Sequence, residues 1–391
     1  MTKNSPDLGL YIHWPFCLSK CPYCDFNSHV VSDVDEGAWH KALSSELAHM
    51  AELCEASAYG KRPLTSIFIG GGTPSLMPID LLASLIEQAE MLFGFTPNIE
   101  ITAEANPTSV ETAKLQGFRD AGVNRISLGV QALNDEALAF LGRGHSAQDA
   151  ITALEKARLL FDRLSVDLIY GRIGQTAKAW EAELSQALSF GLDHLSLYQL
   201  TIEQGTQFYT RHKKGERLNL DEDDMADLYE VTEARITEHD MACYEISNYA
   251  KKDAESRHNL IYWRTDDWLG IGPGAFGRMT MPKGRQEIAT RRSPAGWLSQ
   301  TSDKGHGIDT QTLETGDAII EEIFMMGLRA AEGVPLSRLT RLTGESKWPF
   351  AQDDITSFIE AGWLICDETH LRASFEGRLR LNYILKTLLA S

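Results

Sequence analysis

The sequence predicts an α/β fold: six strand–helix units, enough for a partial (β/α)6 barrel or a doubly wound sheet, followed by a small winged-helix-like α+β domain. Six short β-rich runs alternate with helical stretches, the pattern of parallel strands joined by right-handed crossovers. Glycines and polar residues collect at the carboxyl ends of those runs, where parallel α/β folds build their sites. From Asp309 onward the pattern changes to helices followed by a hairpin.

The β-rich runs are Leu8–His13, Ser66–Ile69, Ile99–Ala103, Arg125–Leu128, Leu164–Ile169 and His194–Leu197. Between them, Ala38–Ala56 and Leu81–Phe93 carry apolar residues at i, i+3, i+4 spacing, one face of a helix. Val110–Ala121 follows Thr108 and Glu111, which match a capping box. Ala147–Phe161 and Ala177–Phe190 complete the set. The segment from Thr201 to Arg292 carries an acidic helix start at Asp221–Asp224, a stretch at Tyr244–Tyr249 and an aromatic cluster from Tyr262 to Trp268. Gly270-Ile271-Gly272-Pro273-Gly274 cannot be helix interior. Arg292–Gly307, rich in Ser, Gly and Thr, reads as a linker. Ala318–Ala330, Leu336–Leu342 and Ile355–Gly362 read as helices, Trp363–Cys366 with His370–Ala373 as a hairpin, and Gly377–Leu389 as a last helix. Two units are expected, residues 1–300 and 309–391.

A formal net charge of -18 repels phosphate backbones and anionic lipid, which disfavours nucleic acid and membrane surfaces as general partners. From Asp309 onward eight Lys and Arg stand against thirteen Asp and Glu, which argues against DNA binding by the C-terminal unit. No run approaches the ~20 apolar residues of a spanning helix, and the start resembles no secretory leader. A cytoplasmic protein, not integral to a membrane, is expected. Of six cysteines, Cys54, Cys243 and Cys366 are isolated and read as small buried hydrophobes.

Cys17, Cys21 and Cys24 fall within eight residues. Three closely spaced thiolates can hold three corners of an iron–sulfur cube and leave the fourth iron open to an exchangeable ligand. The rival is a Cys3His zinc site using His13 or His29. The spacing suits the cluster better, and a structural zinc site would give no role to the glycine and carboxylate loops. Gly70–Gly72 either let backbone approach a ligand or form a tight turn. No Gly-Lys-Ser/Thr follows, which excludes a P-loop. Glu104 could take a ligand ammonium or hydroxyl, or be a capping carboxylate. Gln131 and Asp167 could bind hydroxyls or satisfy loop backbone.

Cys17-x3-Cys21-x2-Cys24, with Tyr23 before the last cysteine, resembles the radical S-adenosylmethionine (SAM) signature. The stretches Tyr11–Cys17, Cys21–His29, Ile67–Ser75, Arg125–Gln131 and His258–Trp263 resemble the HemW-like haem chaperones, relatives of the oxygen-independent coproporphyrinogen III oxidase HemN. The resemblance covers nearly the whole chain. It implies a radical SAM barrel with a HemN-type C-terminal domain, and a [4Fe–4S] cluster on Cys17, Cys21 and Cys24. By position it implies SAM contacts from Tyr11, Tyr23, Gly72, Thr73, Glu104, Gln131, Arg143 and Asp167. Arg143 would pair with the SAM carboxylate or with Glu104. It also implies haem as a ligand, haem-accepting apoproteins as partners, and His258 as a haem contact, with Tyr262 and Trp263 able to stack on a porphyrin face. Packing is the plainer role for that His-Asn-aromatic element, and His13, His29 and His145 are other candidate iron ligands.

Three departures from the family pattern stand out. Phe26 sits where the oxidase branch carries a fourth cysteine, which argues against porphyrinogen decarboxylation. Phe276 replaces an expected histidine. Arg172–Thr176 and Gln204 differ as tolerated loop changes. Two functions of different class follow: a haem chaperone, or a radical SAM enzyme acting on a porphyrinogen.

Overall fold

A computed structural model describes residues 5–31 and 34–389. Twelve strands share one sheet. In chain order they are β1 (Leu8–Trp14), β2 (Leu64–Gly71), β3 (Phe95–Ala105), β4 (Arg125–Gln131), β5 (Arg163–Tyr170), β6 (His194–Gln199), β7 (Ala242–Glu245), β8 (Asn248–Ala250), β9 (Asp267–Ile271), β10 (Phe276–Met281), β11 (Gly284–Thr290) and β12 (Ile308–Glu314). Their spatial order is β12-β11-β10-β9-β1-β2-β3-β4-β5-β6-β8-β7. From β1 to β6 every neighbouring pair is parallel. All six β-rich runs of the sequence lie inside these strands. A seventh parallel strand, β9, flanks β1; the remaining pairings are antiparallel.

The crossovers are α1 (Glu36–Glu55), α2 (Ile79–Phe93), α3 (Ser109–Asp120), α4 (Asp135–Phe140), α5 (Ala147–Leu160) and α6 (Ala177–Ser189). Each packs an apolar stripe on the sheet, as Leu43, Leu47, Met50 and Cys54 do from α1. The Thr108 hydroxyl caps α3 by accepting from the Glu111 N–H. The Glu111 carboxylate does not complete a reciprocal box, however. It accepts from the Asn106 N–H at 2.8 Å and from the Ser75 hydroxyl, so it ties two strand-end loops together.

Beyond the barrel come α7 (Gln207–Lys213), α8 (Glu222–Thr237), α9 (Arg257–Trp263) and α10 (Pro294–Lys304). The expected linker at 292–307 is therefore a helix. Ser293 caps it, Pro294 fits its first turn, and Trp297 is fully buried against α1. The Trp297 ring stacks on Trp39 at 5.0 Å and its Nε1–H donates to Glu46 at 3.0 Å. One buried tryptophan outweighs a composition that suggests a loop.

The C-terminal unit holds α11 (Asp317–Gly327), α12 (Leu336–Thr343), α13 (Gln352–Glu360), α14 (Phe375–Leu379) and α15 (Leu381–Leu389) around a three-stranded sheet. Ile323, Phe324, Leu339, Leu371 and Ile384 form its separate core. The last helix, expected in one piece, is broken at Arg380. Residues 308–314, expected largely in this unit, form β12 and pair with β11 in the large sheet. Ion pairs join the two units: Arg264 with Glu332 at 2.7 Å, Arg341 with Asp266 at 2.9 Å, and Arg278 with Glu322 at 3.2 Å. Among the described residues no helix is long and apolar enough to cross a membrane.

Candidate cluster and ligand site

The chain leaves β1 through Pro15 and forms a short parallel ribbon, Phe16–Cys17 against His29–Val30. That ribbon closes the cysteine loop on itself at the carboxyl end of the barrel. Inside the loop the Cys24 N–H donates to the Cys21 carbonyl at 3.1 Å. The Asn27 amide donates to the carbonyls of Pro273 at 2.8 Å and Arg292 at 2.9 Å, fastening the loop to the glycine turn after β9 and to the segment after β11. His13 holds it from below. Its Nε2–H donates to the Asn27 carbonyl at 2.9 Å, so its Nδ1 is the acceptor for the Tyr11 hydroxyl at 3.1 Å.

Cys17, Cys21 and Cys24 are free thiols, and all three line one cavity of about 1510 Å³. Burial pushes the Cys17 and Cys24 thiols above their ordinary range, so both stay protonated until a metal displaces the proton. The donor set suits a cluster with an open corner facing the cavity. It suits the zinc alternative poorly. His13 has both ring nitrogens engaged, and His29 Nε2 is bonded to the Asn27 side chain at 3.2 Å. Among the described residues no three His, Cys, Asp or Glu side chains converge as ligands of a single ion.

Seven of the eight other residues singled out for SAM line the same cavity: Tyr23, Gly72, Thr73, Glu104, Gln131, Arg143 and Asp167. Tyr11 is not among its lining residues; its hydroxyl is spent on His13. Gly72 serves the cysteine loop itself. Its N–H donates to the Trp14 carbonyl at 2.7 Å, and a Cβ there would lie 2.7 Å from the Phe16 carbonyl oxygen. Any larger residue would push the loop off the strand end. Gln131 takes a left-handed φ of 68°, a conformation that non-glycine residues hold mainly where surrounding structure imposes it.

Glu104 on β3 and Asp167 on β5 line the cavity from strands on either side of β4, close enough to repel. Burial pushes the Glu104 carboxyl up to about 8; repulsion from Asp167 adds to this, and the Gly71 N–H offsets part of it. Asp167 is raised for the same first reason, partly relieved by the Ser196 and Ser127 hydroxyls. Ser127 donates to Asp167 at 3.1 Å. Two partly buried acids lining one cavity favour a cationic ligand. Arg143 does not pair with Glu104. Its guanidinium donates to Cys21 Sγ at 3.3 Å, to the Gly129 carbonyl at 3.0 Å and to the Asn106 side chain. It therefore braces the cysteine loop against β4.

His258 lies apart from the cavity lining. It is 1% exposed, on α9, and packed inside the lower barrel. Its Nδ1 is hydrogen-bonded to Ser66 Oγ at 2.8 Å and its Nε2 to the Tyr262 hydroxyl at 2.7 Å. The ring stacks on Phe68 at 5.2 Å, and burial drives it neutral, to about 3. Both ring nitrogens are engaged in this structure, and the ring is not among the residues that line the cavity. The His-Asn-x-x-Tyr-Trp element is a plug. The Glu100 carboxylate accepts from the His258 N–H at 3.2 Å, and Arg163 pairs with Glu100 at 2.6 Å while holding the carbonyls of Ala254 and Glu255. Of the other histidines considered, only His145 lines the cavity, with its Nε2 bonded to the Val130 carbonyl at 3.0 Å. Phe276, at the start of β10, is 52% exposed.

Sequence reasoning missed the far wall of the cavity. It comes from α8, with Met225 and Tyr229, and from the C-terminal unit, with Trp363, Arg378, Arg380 and Tyr383. Nothing in the sequence signals that residues more than 300 positions apart meet across one space.

The comparisons with known proteins agree with this architecture. The Radical SAM superfamily matches residues 11–187, and the HemN C-terminal domain matches residues 315–380. The chain is 36% identical to heme chaperone HemW of Haemophilus influenzae, over 98% of each chain, and 36% identical to that of Escherichia coli, over 98% of this chain and 99% of the relative. A zebrafish protein named radical S-adenosyl methionine domain-containing protein 1, mitochondrial, is 35% identical over 99% of this chain and 88% of its own. Among solved structures, coproporphyrinogen III oxidase (HemN) from Escherichia coli superposes with a TM-score of 0.79 at 23% identity, over 98% of this chain and 90% of that one. By full-length identity to these relatives, the chain belongs to the radical SAM superfamily and, within it, to the HemW family.

Proposed function

We propose that the protein is a haem carrier. It holds a [4Fe–4S] cluster on Cys17, Cys21 and Cys24 with SAM at the open iron, binds haem, and passes the haem to acceptor apoproteins. The observation that carries this reading is the 36% identity to HemW chaperones over 98% of each chain. Phe26 supports it: an exposed phenyl ring lines the cavity where the decarboxylating branch has a fourth cysteine. The bound cluster would supply an electron to SAM; the protein binds and orients. Around it, Arg143 and Asn27 hold the cysteine loop, while Glu104 and Asp167 offer negative charge to the cationic ligand. Three free thiols in one loop suit a reducing compartment, and we place the protein in the cytoplasm.

Adding SAM to the reduced, reconstituted protein should alter the EPR signal of the cluster, and Glu104→Ala should weaken that change. No response in the parent protein would count against the site. The carboxyl of Glu104 also gives the binding a pH signature. With a pKa of about 8 in the ligand-free site, it is mostly protonated at pH 7. A cationic ligand favours the anion, so binding releases a proton and tightens as pH rises. SAM affinity should rise about fivefold from pH 7 to pH 8 on this account, and Glu104→Gln should flatten the rise. The same slope in parent and variant would assign the titration to SAM itself.

A further inference from the structure

The cavity is larger than one ligand requires. Small-molecule sites span about 300–1,000 Å³, whereas this one holds about 1510 Å³. Its two ends also differ in chemistry. The inner end carries the cysteines, Glu104, Asp167 and Arg143. The outer end, on the C-terminal unit, combines aromatic surface with guanidinium groups. The Arg380 guanidinium lies 5.3 Å from the Trp363 ring centre, and the Tyr383 ring stands edge-on to Trp363 at 6.1 Å. Tyr383 is 59% exposed although it is a large ring on a packed helix. The break between α14 and α15 falls at Arg380, which lines the cavity.

The two arginines of this wall differ in how far they are committed. Arg378 donates to the Tyr229 hydroxyl at 3.3 Å and pairs with Glu233 at 3.3 Å, both partly or fully buried. It latches the C-terminal unit onto α8. Arg380 pairs with Glu376 at 2.7 Å, but both side chains are about half exposed at 43% and 56%. An ion pair that open is worth little and exchanges readily. A carboxylate brought in by a ligand could take its place on the same guanidinium, in the two-point geometry that arginine favours.

A ligand for this wall must present a flat apolar face to the exposed Tyr383 ring, which Trp363 backs edge-on, and carboxylate at one edge to Arg380. We propose that this outer wall, Trp363, Arg380 and Tyr383, seats a tetrapyrrole by its face and its edge carboxylates, beside the cluster end rather than at His258. The inference rests on the haem-carrier reading and gives that ligand its place. It makes the C-terminal unit part of the binding site. Stacking on an aromatic wall and a carboxylate clamp hold the macrocycle without an imidazole from α9.

The test titrates the full-length, anaerobically reconstituted protein with three probes: haem, metal-free protoporphyrin, and protoporphyrin dimethyl ester, in which the carboxylates are blocked. Absorbance and tryptophan quenching report binding. The parent should bind both acids and bind the ester about tenfold more weakly, the loss of one charged hydrogen-bonded pair. Arg380→Glu should weaken both acids about tenfold or more and leave the ester unchanged. Tyr383→Ala should weaken all three probes. Neither variant should alter the SAM-induced EPR change. A parent that binds haem while both variants match it would overturn this site and leave the haem-carrier reading standing. A parent that binds no tetrapyrrole would overturn both.

Discussion

Cys21→Ser, reconstituted anaerobically, should lose most of its iron and its brown absorbance, while Cys243→Ser keeps both. Cys21 is one of three thiols on a single loop facing the cavity. Removing one of three protein ligands leaves a cube held at two corners, with the Arg143 contact to Cys21 Sγ also lost. Cys243 is the opposite case. It lies on β7, its Sγ–H donates to the Glu245 carbonyl at 3.0 Å, and burial pushes the thiol up to about 12. It remains a protonated, inert thiol at any ordinary pH. Equal cluster content in the two variants would remove the basis of the assignment. Tight stoichiometric zinc without iron uptake would favour the Cys3His alternative.

His258→Ala should destabilise the barrel by about 3 kcal/mol while leaving the spectrum of bound haem unaltered. The cost has two parts. Truncation opens a cavity between Phe68 and Tyr262, and it leaves Ser66 Oγ and the Tyr262 hydroxyl without their shared partner. His258→Gln keeps hydrogen-bonding capacity in place and should recover part of the loss. Chemical denaturation measures the stability and a haem titration the spectrum. A stable His258→Ala protein with a shifted or absent Soret band would restore the imidazole as an iron ligand and displace the plug.

Much of the barrel was legible because its signals are local. Each of β1 to β6 is a short β-rich run ending in glycine or polar residues, and the cysteine loop is contiguous. β9 was not legible. It is buried on both faces, and Asp267 and Gly270 interrupt its apolar run. Asp267 is accommodated there because Arg62, Arg285 and the Thr280 hydroxyl surround it, partners that no local window contains. The helix at 294–304 was hidden by its Ser, Gly and Thr content, since one buried ring, Trp297, supplies most of its anchoring. His258 misled for a related reason. Its residue type is that of a metal ligand, and only the three-dimensional partners show a satisfied core histidine. The C-terminal wall of the cavity was unreadable because Arg380 and Tyr383 reach the site through tertiary packing alone.

The most direct test of the haem-carrier account follows the fate of two tetrapyrroles in one reconstituted preparation. Haem-loaded protein is mixed with the apo form of a b-type haem protein, and acceptor absorbance is followed. In parallel, coproporphyrinogen III is incubated anaerobically with the protein, SAM and a reductant, beside a genuine oxidase. The account predicts transfer of haem to the acceptor and no protoporphyrinogen formation, in keeping with Phe26 at the end of the cysteine motif. Turnover comparable to the oxidase, with haem retained or never bound, would contradict it.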